Sequence, residues 1–188
     1  MKNVIRLHDK TFRVMIPAAQ IDSAVAAVAE RINADYRDKQ LPLFIGVLNG
    51  SFMFMAELMQ RITLDCEASF VKIASYRGTA STGKVHELIG LSADIRGRHV
   101  VIVEDIVDSG FTLSYLTRLL ATRGAKSIRL CTLLDKPSRR APGIELKADY
   151  SGFEVGNEFV VGYGLDYAER YRNLPYIGVL KPEVYENC

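Results

Sequence analysis

Short apolar runs alternate along the chain with segments of helical periodicity, and this alternation restricts the fold more than any other feature. Apolar runs at 43–48, 100–103 and 127–134 predict buried strands. Apolar residues recur at helical spacing in three other segments, at about 17–36, 52–62 and 112–123. Strands that alternate with helices predict an α/β fold with a mostly parallel central sheet flanked by helices.

Three further segments predict strands, and one predicts a long loop. The strand candidates lie at 66–75, 159–161 and 177–180. The segment 76–87 is rich in Gly, Ser and Thr and poor in apolar residues. Long polar loops inside compact domains are often functional, so we expect this loop to act as a lid.

The predicted parallel sheet also indicates where a ligand binds. In such sheets, ligands bind outside the carboxyl ends of the strands. That rule points to Asn49 and Gly50, to residues 104–112, and to the segments that follow Leu134 and Val161. We therefore expect four loops from distant parts of the chain to form one site.

Composition excludes several classes of protein. The chain has 188 residues, of which 48% are hydrophobic, and this suits one domain with a sizeable core. The net charge of +2 gives no reason to expect a nucleic acid or a membrane surface as partner. Three cysteines without a C-x-x-C pair indicate free thiols in a reducing, cytoplasmic compartment. The first residues lack the apolar core of a signal peptide, and no apolar run is long enough to span a bilayer.

Acidic residues and then small polar residues follow the apolar run at 100–103. Glu104 and Asp105 come first, and the string from Asp108 to Thr112 leads into a predicted helix. Backbone N–H groups of small residues at a helix N-terminus form an anion cradle, and Gly110 permits close approach of a phosphate. Adjacent carboxylates do not favour a bare phosphate, but they suit ribose hydroxyls or hydrated Mg²⁺. The string therefore predicts a site for a sugar phosphate with a metal.

The same string also permits a simpler interpretation. Asp-Ser-Gly is a common turn tripeptide, and Asp108 or Ser109 is suited to cap the following helix. The tripeptide alone favours that turn. The apolar strand and the two acids that precede it favour the phosphate site instead.

The string from Val100 to Thr112 resembles the phosphoribosyl pyrophosphate signature of the type I phosphoribosyltransferases. Within that group, the chain resembles the hypoxanthine (hypoxanthine-guanine) phosphoribosyltransferases. The match continues in the family's order through the segments 47–53, 75–76, 133–136, 152–154 and 159–167. The resemblance thus spans almost the whole chain.

The resemblance implies a type I phosphoribosyltransferase fold in a single domain of residues 1–188. Its core would comprise about 35–150, and a small hood lobe would form from the chain ends, at about 1–16 and 151–188. The implied activity is purine salvage, in which phosphoribosyl pyrophosphate and hypoxanthine or guanine give IMP or GMP and pyrophosphate. Mg²⁺ as cofactor and a homodimer or homotetramer are implied as well.

The resemblance assigns residues to the ribose and to the phosphate groups. Glu104 and Asp105 would lie at the ribose hydroxyls and contribute to the metal site, and Asp108 is the candidate catalytic base near the purine N7. The residues implied at the 5′-phosphate are Ser109, Gly110, Phe111 and Thr112. The residues implied at pyrophosphate are Asn49, Gly50 and Arg172.

The base and the lid receive their residues from the same resemblance. The implied purine contacts are Lys136, Phe159, Val160 and Asp166. Lys136 would donate to the purine O6, which favours a 6-oxopurine over adenine, and Phe159 would stack on the base. Asp166 is also the third implied metal contact. Ser75 and Tyr76 begin the implied lid. From the sequence alone, Lys136 is more simply a surface lysine, and a core aromatic remains an alternative for Phe159.

The chain departs from the family pattern at one position. Asn49 stands where family members often carry Lys or Arg. The departure matters little if backbone amides bind pyrophosphate there. The resemblance also implies a cis peptide between Leu48 and Asn49, which is rare outside X-Pro bonds.

Three other functions compete with the implied one. The first is an enzyme of the same group that acts on xanthine, on guanine alone or on a pyrimidine. A nucleotide-sensing regulator without catalysis is the second, although the chain carries no basic block and retains Asp108 and Lys136. A dinucleotide-binding oxidoreductase is the third, but no G-x-G-x-x-G string follows a predicted strand.

Overall fold

Two sheets and three α-helices make up the described part of the chain. The computed structural model describes residues 4–7, 10–75, 85–91 and 93–180. The strands are β1 (Val4–Leu7), β2 (Lys10–Ile16), β3 (Leu43–Leu48), β4 (Glu67–Ser75), β5 (Val85–Ile89), β6 (His99–Val107), β7 (Ser127–Asp135), β8 (Tyr150–Glu154), β9 (Val160–Val161) and β10 (Ile177–Leu180). The α-helices are α1 (Ala18–Asp35), α2 (Phe52–Met59) and α3 (Phe111–Thr122), and a 3₁₀ turn covers Pro137–Arg139.

The larger sheet has six strands in the order β5-β4-β3-β6-β7-β8. All neighbouring strands in it are parallel except β4 and β5, which pair antiparallel. The predicted α/β fold with a mostly parallel central sheet flanked by helices is therefore confirmed. Parallel pairing places the carboxyl ends of β3, β6 and β7 at one edge, where ligands bind in such sheets.

Helices cover both faces of the larger sheet because side chains alternate along each strand. Phe44, Val101 and Val103 point to one face, where they pack with buried residues of α1 and α2. Ile45 and Ile102 point to the opposite face, where they pack with buried residues of α3. Burial on both faces explains why these strands read as continuous apolar runs in the sequence.

The smaller sheet joins the two ends of the described chain. Its four strands lie in the order β1-β2-β10-β9, and every pair in it is antiparallel. This arrangement agrees with a lobe formed from the chain ends. The division into a core of about 35–150 and a hood of about 1–16 and 151–188 stays a prediction. Strand β8 nevertheless belongs to the larger sheet, so Tyr150–Glu154 lies beside the core strands.

Two predicted boundaries were wrong, both because tertiary pairing extends a strand. Strand β6 does not stop at Val103 but continues to Val107, since Ile106 and Val107 still pair with β7. Glu104 and Asp105 therefore lie within the strand. The predicted loop of 76–87 is shorter at its end, because β5 begins at Val85 and pairs with β4. Residues 76–84 lie outside the described residues.

The structure bears on two expectations, which concern membrane-spanning helices and free cysteines. Within the described ranges, none of the helices is both long enough and apolar enough to cross a membrane. Cys66 and Cys131 are free thiols, as the sequence predicts.

Candidate functional site

The predicted site residues meet at the carboxyl edge of the larger sheet. Asn49 and Gly50 follow β3, Glu104 and Asp105 lie near the end of β6, and Lys136 follows β7. These strands are neighbours in the sheet, with β6 in the middle. The sheet therefore brings together residues that are up to about ninety positions apart in the sequence.

Two adjacent carboxylates lie near the end of β6 with little access to solvent. Asp105 is buried and Glu104 is half-buried. Burial raises the pKa of Glu104 well above its ordinary value, and the neighbouring Asp105 charge adds to that effect. Burial also raises the pKa of Asp105, although the backbone N–H of Ile106 donates to its carboxylate at 2.8 Å. The pair therefore holds its negative charge at an energetic cost.

The loop after β3 packs tightly against Asp105. The Leu48–Asn49 peptide is cis, as the resemblance implies. A Cβ atom added at Gly50 would lie 1.7 Å from Oδ2 of Asp105, so only glycine fits there. A Cβ atom added at Gly164 would lie 2.0 Å from the Gly50 carbonyl oxygen. Gly164 thus packs on Gly50, and Gly50 packs on Asp105, and neither contact leaves space for a side chain at the glycine.

Arg172 closes this side of the site. Its Nη1 donates to the Gly164 carbonyl at 2.8 Å, and its Nη2 lies 2.9 Å from Oδ1 of Asp166. Nη2 also lies 2.9 Å from Oε2 of Glu169. The guanidinium lowers the pKa of Asp105 through its charge, although burial outweighs it. The structure therefore places the predicted residues Gly50, Asp105, Asp166 and Arg172 around one another.

The predicted anion cradle is the N-terminus of α3. Gly110 is the N-cap residue with a φ of 81°, and among the described residues no side chain caps the helix. The alternative in which Asp108 or Ser109 caps α3 is therefore wrong. A Cβ atom at Gly110 would lie 2.9 Å from Cγ2 of Ile144, so glycine is required for packing as well as for its φ.

Asp108 lies between the acidic pair and the cradle, half-exposed. Nε of Arg139 donates to its Oδ1 at 3.0 Å. Arg139 is not among the predicted site residues, although two successive arginines just after a strand end are a usable signal. A cation beside this carboxylate restricts its orientation.

Lys136 is buried, with 6% of its surface exposed. The interpretation of Lys136 as a surface lysine is therefore wrong. Its Nζ donates to the Glu158 carbonyl at 2.7 Å, which ties the end of β7 to the residue before Phe159. Burial lowers the pKa of Lys136, while the charge of Asp108 acts in the opposite direction.

Phe159 is 37% exposed, so it is not a core residue. Its ring packs edge-to-face on Tyr167, with centroids 5.9 Å apart. Val160, the next residue, is buried in β9 and pairs with Val179 of β10. Lys136 and Phe159 are therefore positioned to line the same side of the site.

The acidic pair fits a magnesium site in its chemistry. Two desolvated carboxylates beside each other gain from a divalent cation, and Mg²⁺ binds through one or two carboxylates and keeps its other oxygen ligands from water and substrate. Within the described residues, no three His, Cys, Asp or Glu side chains form a group suited to hold a metal. Asp166 therefore does not form such a group with Glu104 and Asp105.

The implied lid can be followed only to its first residue. Ser75 is the last residue of β4. Tyr76 lies outside the described residues, so its role stays a prediction.

Comparison with known proteins identifies the family. The family model for the phosphoribosyl transferase domain matches residues 17–168. Hypoxanthine-guanine phosphoribosyltransferase of Bacillus subtilis is 51% identical over 176 residues, which cover 93% of this chain and 96% of that protein. The bifunctional protein TilS/HprT of Listeria monocytogenes is 48% identical over 180 residues, but this chain spans only 27% of its length.

Solved structures show the same similarity in three dimensions. A hypoxanthine phosphoribosyltransferase of Staphylococcus aureus superposes with a TM-score of 0.86 and 43% identity, covering 92% of this chain and 93% of that one. A hypoxanthine phosphoribosyl transferase of Trypanosoma cruzi superposes with a TM-score of 0.88 and 38% identity, covering 97% and 98%.

Substitution of Glu104 by Gln should stabilise the metal-free protein near neutral pH. The folded-state pKa of Glu104 is raised, so stability is lost as the pH rises from about 4, the unfolded-state value, towards the folded value. Glu104→Gln removes this loss. We expect a gain of a few degrees in Tm at pH 7 and a smaller gain at pH 4, measured by thermal unfolding with a chelator present.

The matched control is Glu145→Gln, because Glu145 is an exposed glutamate. The Tm of this control should equal the Tm of the parent protein at both pH values. A Glu104→Gln variant that is less stable than the parent at pH 7 would contradict the argument.

Proposed function

Because the chain belongs to the phosphoribosyl transferase domain family, we propose that it transfers the 5-phosphoribosyl group of phosphoribosyl pyrophosphate to a 6-oxopurine base. Hypoxanthine and guanine are the proposed acceptors, and the products are IMP or GMP and pyrophosphate. This reaction is a step of purine salvage. Its substrates and products are anions or small bases, and the net charge of the chain gives no reason to expect nucleic acid or membrane partners.

One observation carries the proposal: an acidic pair, a helix N-terminus and a buried lysine lie along a single sheet edge. Glu104 and Asp105 suit the two ribose hydroxyls, which donate hydrogen bonds to carboxylates. The N-terminus of α3 suits the 5′-phosphate, because its backbone N–H groups have no side-chain cap among the described residues. Lys136 supplies a cationic donor for the base.

The proposed phosphate contacts use backbone groups and small side chains. Ser109 to Thr112 hold the 5′-phosphate, with the hydroxyls of Ser109 and Thr112 as further donors. The backbone of Asn49 and Gly50 binds pyrophosphate, and Arg172 neutralises part of its charge. These roles agree with the close packing of Gly50 on Asp105 and of Arg172 on Gly164.

Base selection follows from the donor at the base. Lys136 donates to the purine O6, which is an acceptor in hypoxanthine and guanine, whereas adenine carries an amino group there. Burial makes the selection stronger, because an amino group facing a buried ammonium would leave both donors unpaired. Phe159 stacks on the base, and backbone groups of Val160 and Asp166 read the opposite edge.

Asp108 handles the proton and the developing positive charge. The bond from C1′ to pyrophosphate breaks as the base nitrogen attacks, and the ribose becomes oxocarbenium-like. A carboxylate near the purine N7 accepts the proton and stabilises that charge. Arg139 keeps the carboxylate oriented through its 3.0 Å contact.

Mg²⁺, when bound, neutralises charge on the leaving pyrophosphate. Glu104 and Asp105 would be its protein ligands, with Asp166 as a further contact. Ser75 and Tyr76 begin a lid that excludes water from the reacting ribose. We also propose a cytoplasmic homodimer or homotetramer, as the family resemblance implies.

Release of pyrophosphate tests the proposal directly. The protein is mixed with phosphoribosyl pyrophosphate, Mg²⁺ and one of hypoxanthine, guanine, xanthine or adenine. We expect release with hypoxanthine and guanine and background release with adenine. No release with any base would favour a nucleotide-sensing protein without catalysis, and release with adenine at the hypoxanthine rate would overturn the role of Lys136.

Substitution of Asp108 by Asn should abolish most turnover without unfolding the protein. The Asn oxygen still accepts the hydrogen bond from Arg139 but cannot accept the proton from the base. We expect kcat to fall by a factor on the order of 10² to 10⁴, as when a general base is removed. Steady-state kinetics gives kcat, and thermal unfolding checks the fold.

The matched control for Asp108→Asn is Asp94→Asn. Asp94 is an exposed aspartate that also pairs with an arginine, with Arg96 Nη2 3.5 Å from its Oδ2, and it lies before β6 at the other end of the strand. Its kcat should equal that of the parent. A turnover near normal in Asp108→Asn would remove Asp108 from the mechanism.

Substitution of Lys136 by Gln should reduce the preference for 6-oxopurines. A charge-assisted hydrogen bond contributes about 1.5–3 kcal/mol, so kcat/KM for hypoxanthine should fall about 10- to 100-fold. The value for adenine should stay near its background. Lys126→Gln, an exposed residue next to the amino end of β7, is the control and should leave the ratio unchanged. An unchanged ratio in Lys136→Gln would contradict the assignment.

A further inference from the structure

Arg140 is a largely buried arginine just after the 3₁₀ turn that follows Lys136. Only 12% of its side chain is exposed. Its Nη1 donates to the carbonyls of Val107, Asp108 and Lys136 at 2.8, 2.8 and 3.1 Å. Its Nε donates to the Leu146 carbonyl at 3.1 Å. One guanidinium therefore binds backbone from three separate segments.

Arg140 also has a buried counter-charge. Its Nη2 forms an ion pair with Asp135, the last residue of β7, whose side chain is 13% exposed. Asp135 supplies the negative charge that the guanidinium, buried away from solvent, requires as a partner. The position of Asp135 in a strand gives the guanidinium a rigid anchor.

The carbonyls that Arg140 binds belong to the ends of two neighbouring strands. Val107 ends β6, and Asp108 follows it, whereas Lys136 follows β7. The backbone N–H of Lys136 also donates to the Val107 carbonyl at 3.0 Å. Arg140 therefore joins the backbone of Asp108 to the backbone of Lys136, although the two residues come from different strands.

The phosphate cradle rests on the same arginine. A Cβ atom at Gly110 would lie 3.4 Å from Cδ of Arg140, so the aliphatic part of Arg140 lies against the glycine. The backbone N–H of Ala141, the next residue, donates to the Ser109 carbonyl at 3.1 Å. Arg140 and Ala141 thus contact the backbone of Ser109 and Gly110, whereas Arg139 contacts the Asp108 carboxylate itself.

We propose that Arg140 is a positioning residue that sets the relative placement of Asp108, Lys136 and the phosphate cradle. This proposal rests on the proposed function, since it concerns how the proposed base and the proposed purine-binding lysine are held. Lysine cannot replace Arg140, because an ammonium is a compact donor and lacks the planar fork that reaches several acceptors at once.

The test compares Arg140→Lys with Arg98→Lys. Arg98 is also mostly buried, with 20% of its side chain exposed, and it also pairs with a carboxylate, at 2.7 Å from Glu67, and donates to a carbonyl, that of Leu41. It lies before β6, at the end of the strand away from the site. The two substitutions therefore remove similar contacts at opposite ends of β6.

Kinetics and thermal unfolding are measured on both variants with hypoxanthine, phosphoribosyl pyrophosphate and Mg²⁺. Misplacement of a reacting group by about 1 Å costs on the order of 100-fold in rate, so we expect kcat of Arg140→Lys to fall by roughly that factor. The KM values should rise by a smaller factor, because Lys136 and the N–H groups of the cradle are displaced but still present. Arg98→Lys should lose stability but keep its kcat.

Each result discriminates. A kcat of Arg140→Lys within about twofold of the parent would overturn the positioning role, as would equal losses of kcat in the two variants. A parent protein that releases no pyrophosphate would instead overturn the proposed function, and the positioning role with it. Should Arg140→Lys not fold, Asp135→Asn provides the test, because it leaves Arg140 in place and removes its anchor. That folded variant should lose about tenfold in kcat, and an unchanged kcat would overturn the proposal.

Discussion

Parallel pairing of β3, β6 and β7 is the constraint on which the rest of the structure depends. Residues of β3 pair in register with residues of β6, and those of β6 pair with β7 as far as Asp135. Parallel strands end at the same edge, so every loop that follows them is delivered to one place. The two helical layers then bury the strands on both faces, which leaves this edge as the part of the sheet where polar side chains gather.

Under the proposed function, the charge at that edge serves a bound anion and a bound cation and not stability. Glu104 and Asp105 lie beside each other with raised pKa values because burial removes them from water. Cationic side chains lie close by, namely Lys136, Arg139, Arg140 and Arg172. Natural sites commonly retain such costly groups because function needs them. In the proposed complex, the same costs become favourable contacts, because the substrate and the metal supply the complementary charges.

Much of the fold and of the site follows from local patterns. The core strands and α1 to α3 lie within a few residues of their predicted bounds, because apolar periodicity reports burial directly. The errors concern pairing: β6 reaches Val107, and β5 begins at Val85, because hydrogen bonds to a neighbouring strand extend strands beyond their apolar residues. The apolar residues predicted β9 and β10, whereas a lobe formed from the chain ends was implied only by resemblance, since its strands come from opposite ends of the chain.

The sequence by itself determined the continuous part of the site. A strand, two acids, a glycine and a helix N-terminus stand within a few residues, so the local pattern predicts the helix N-terminus that begins at Gly110. Tertiary structure alone decided how the distant parts meet. Lys136 binds the Glu158 carbonyl, 22 residues away, and Arg140 binds the Val107 carbonyl, 33 residues away. Such contacts depend on strand order and register, and a linear pattern of residue types encodes neither.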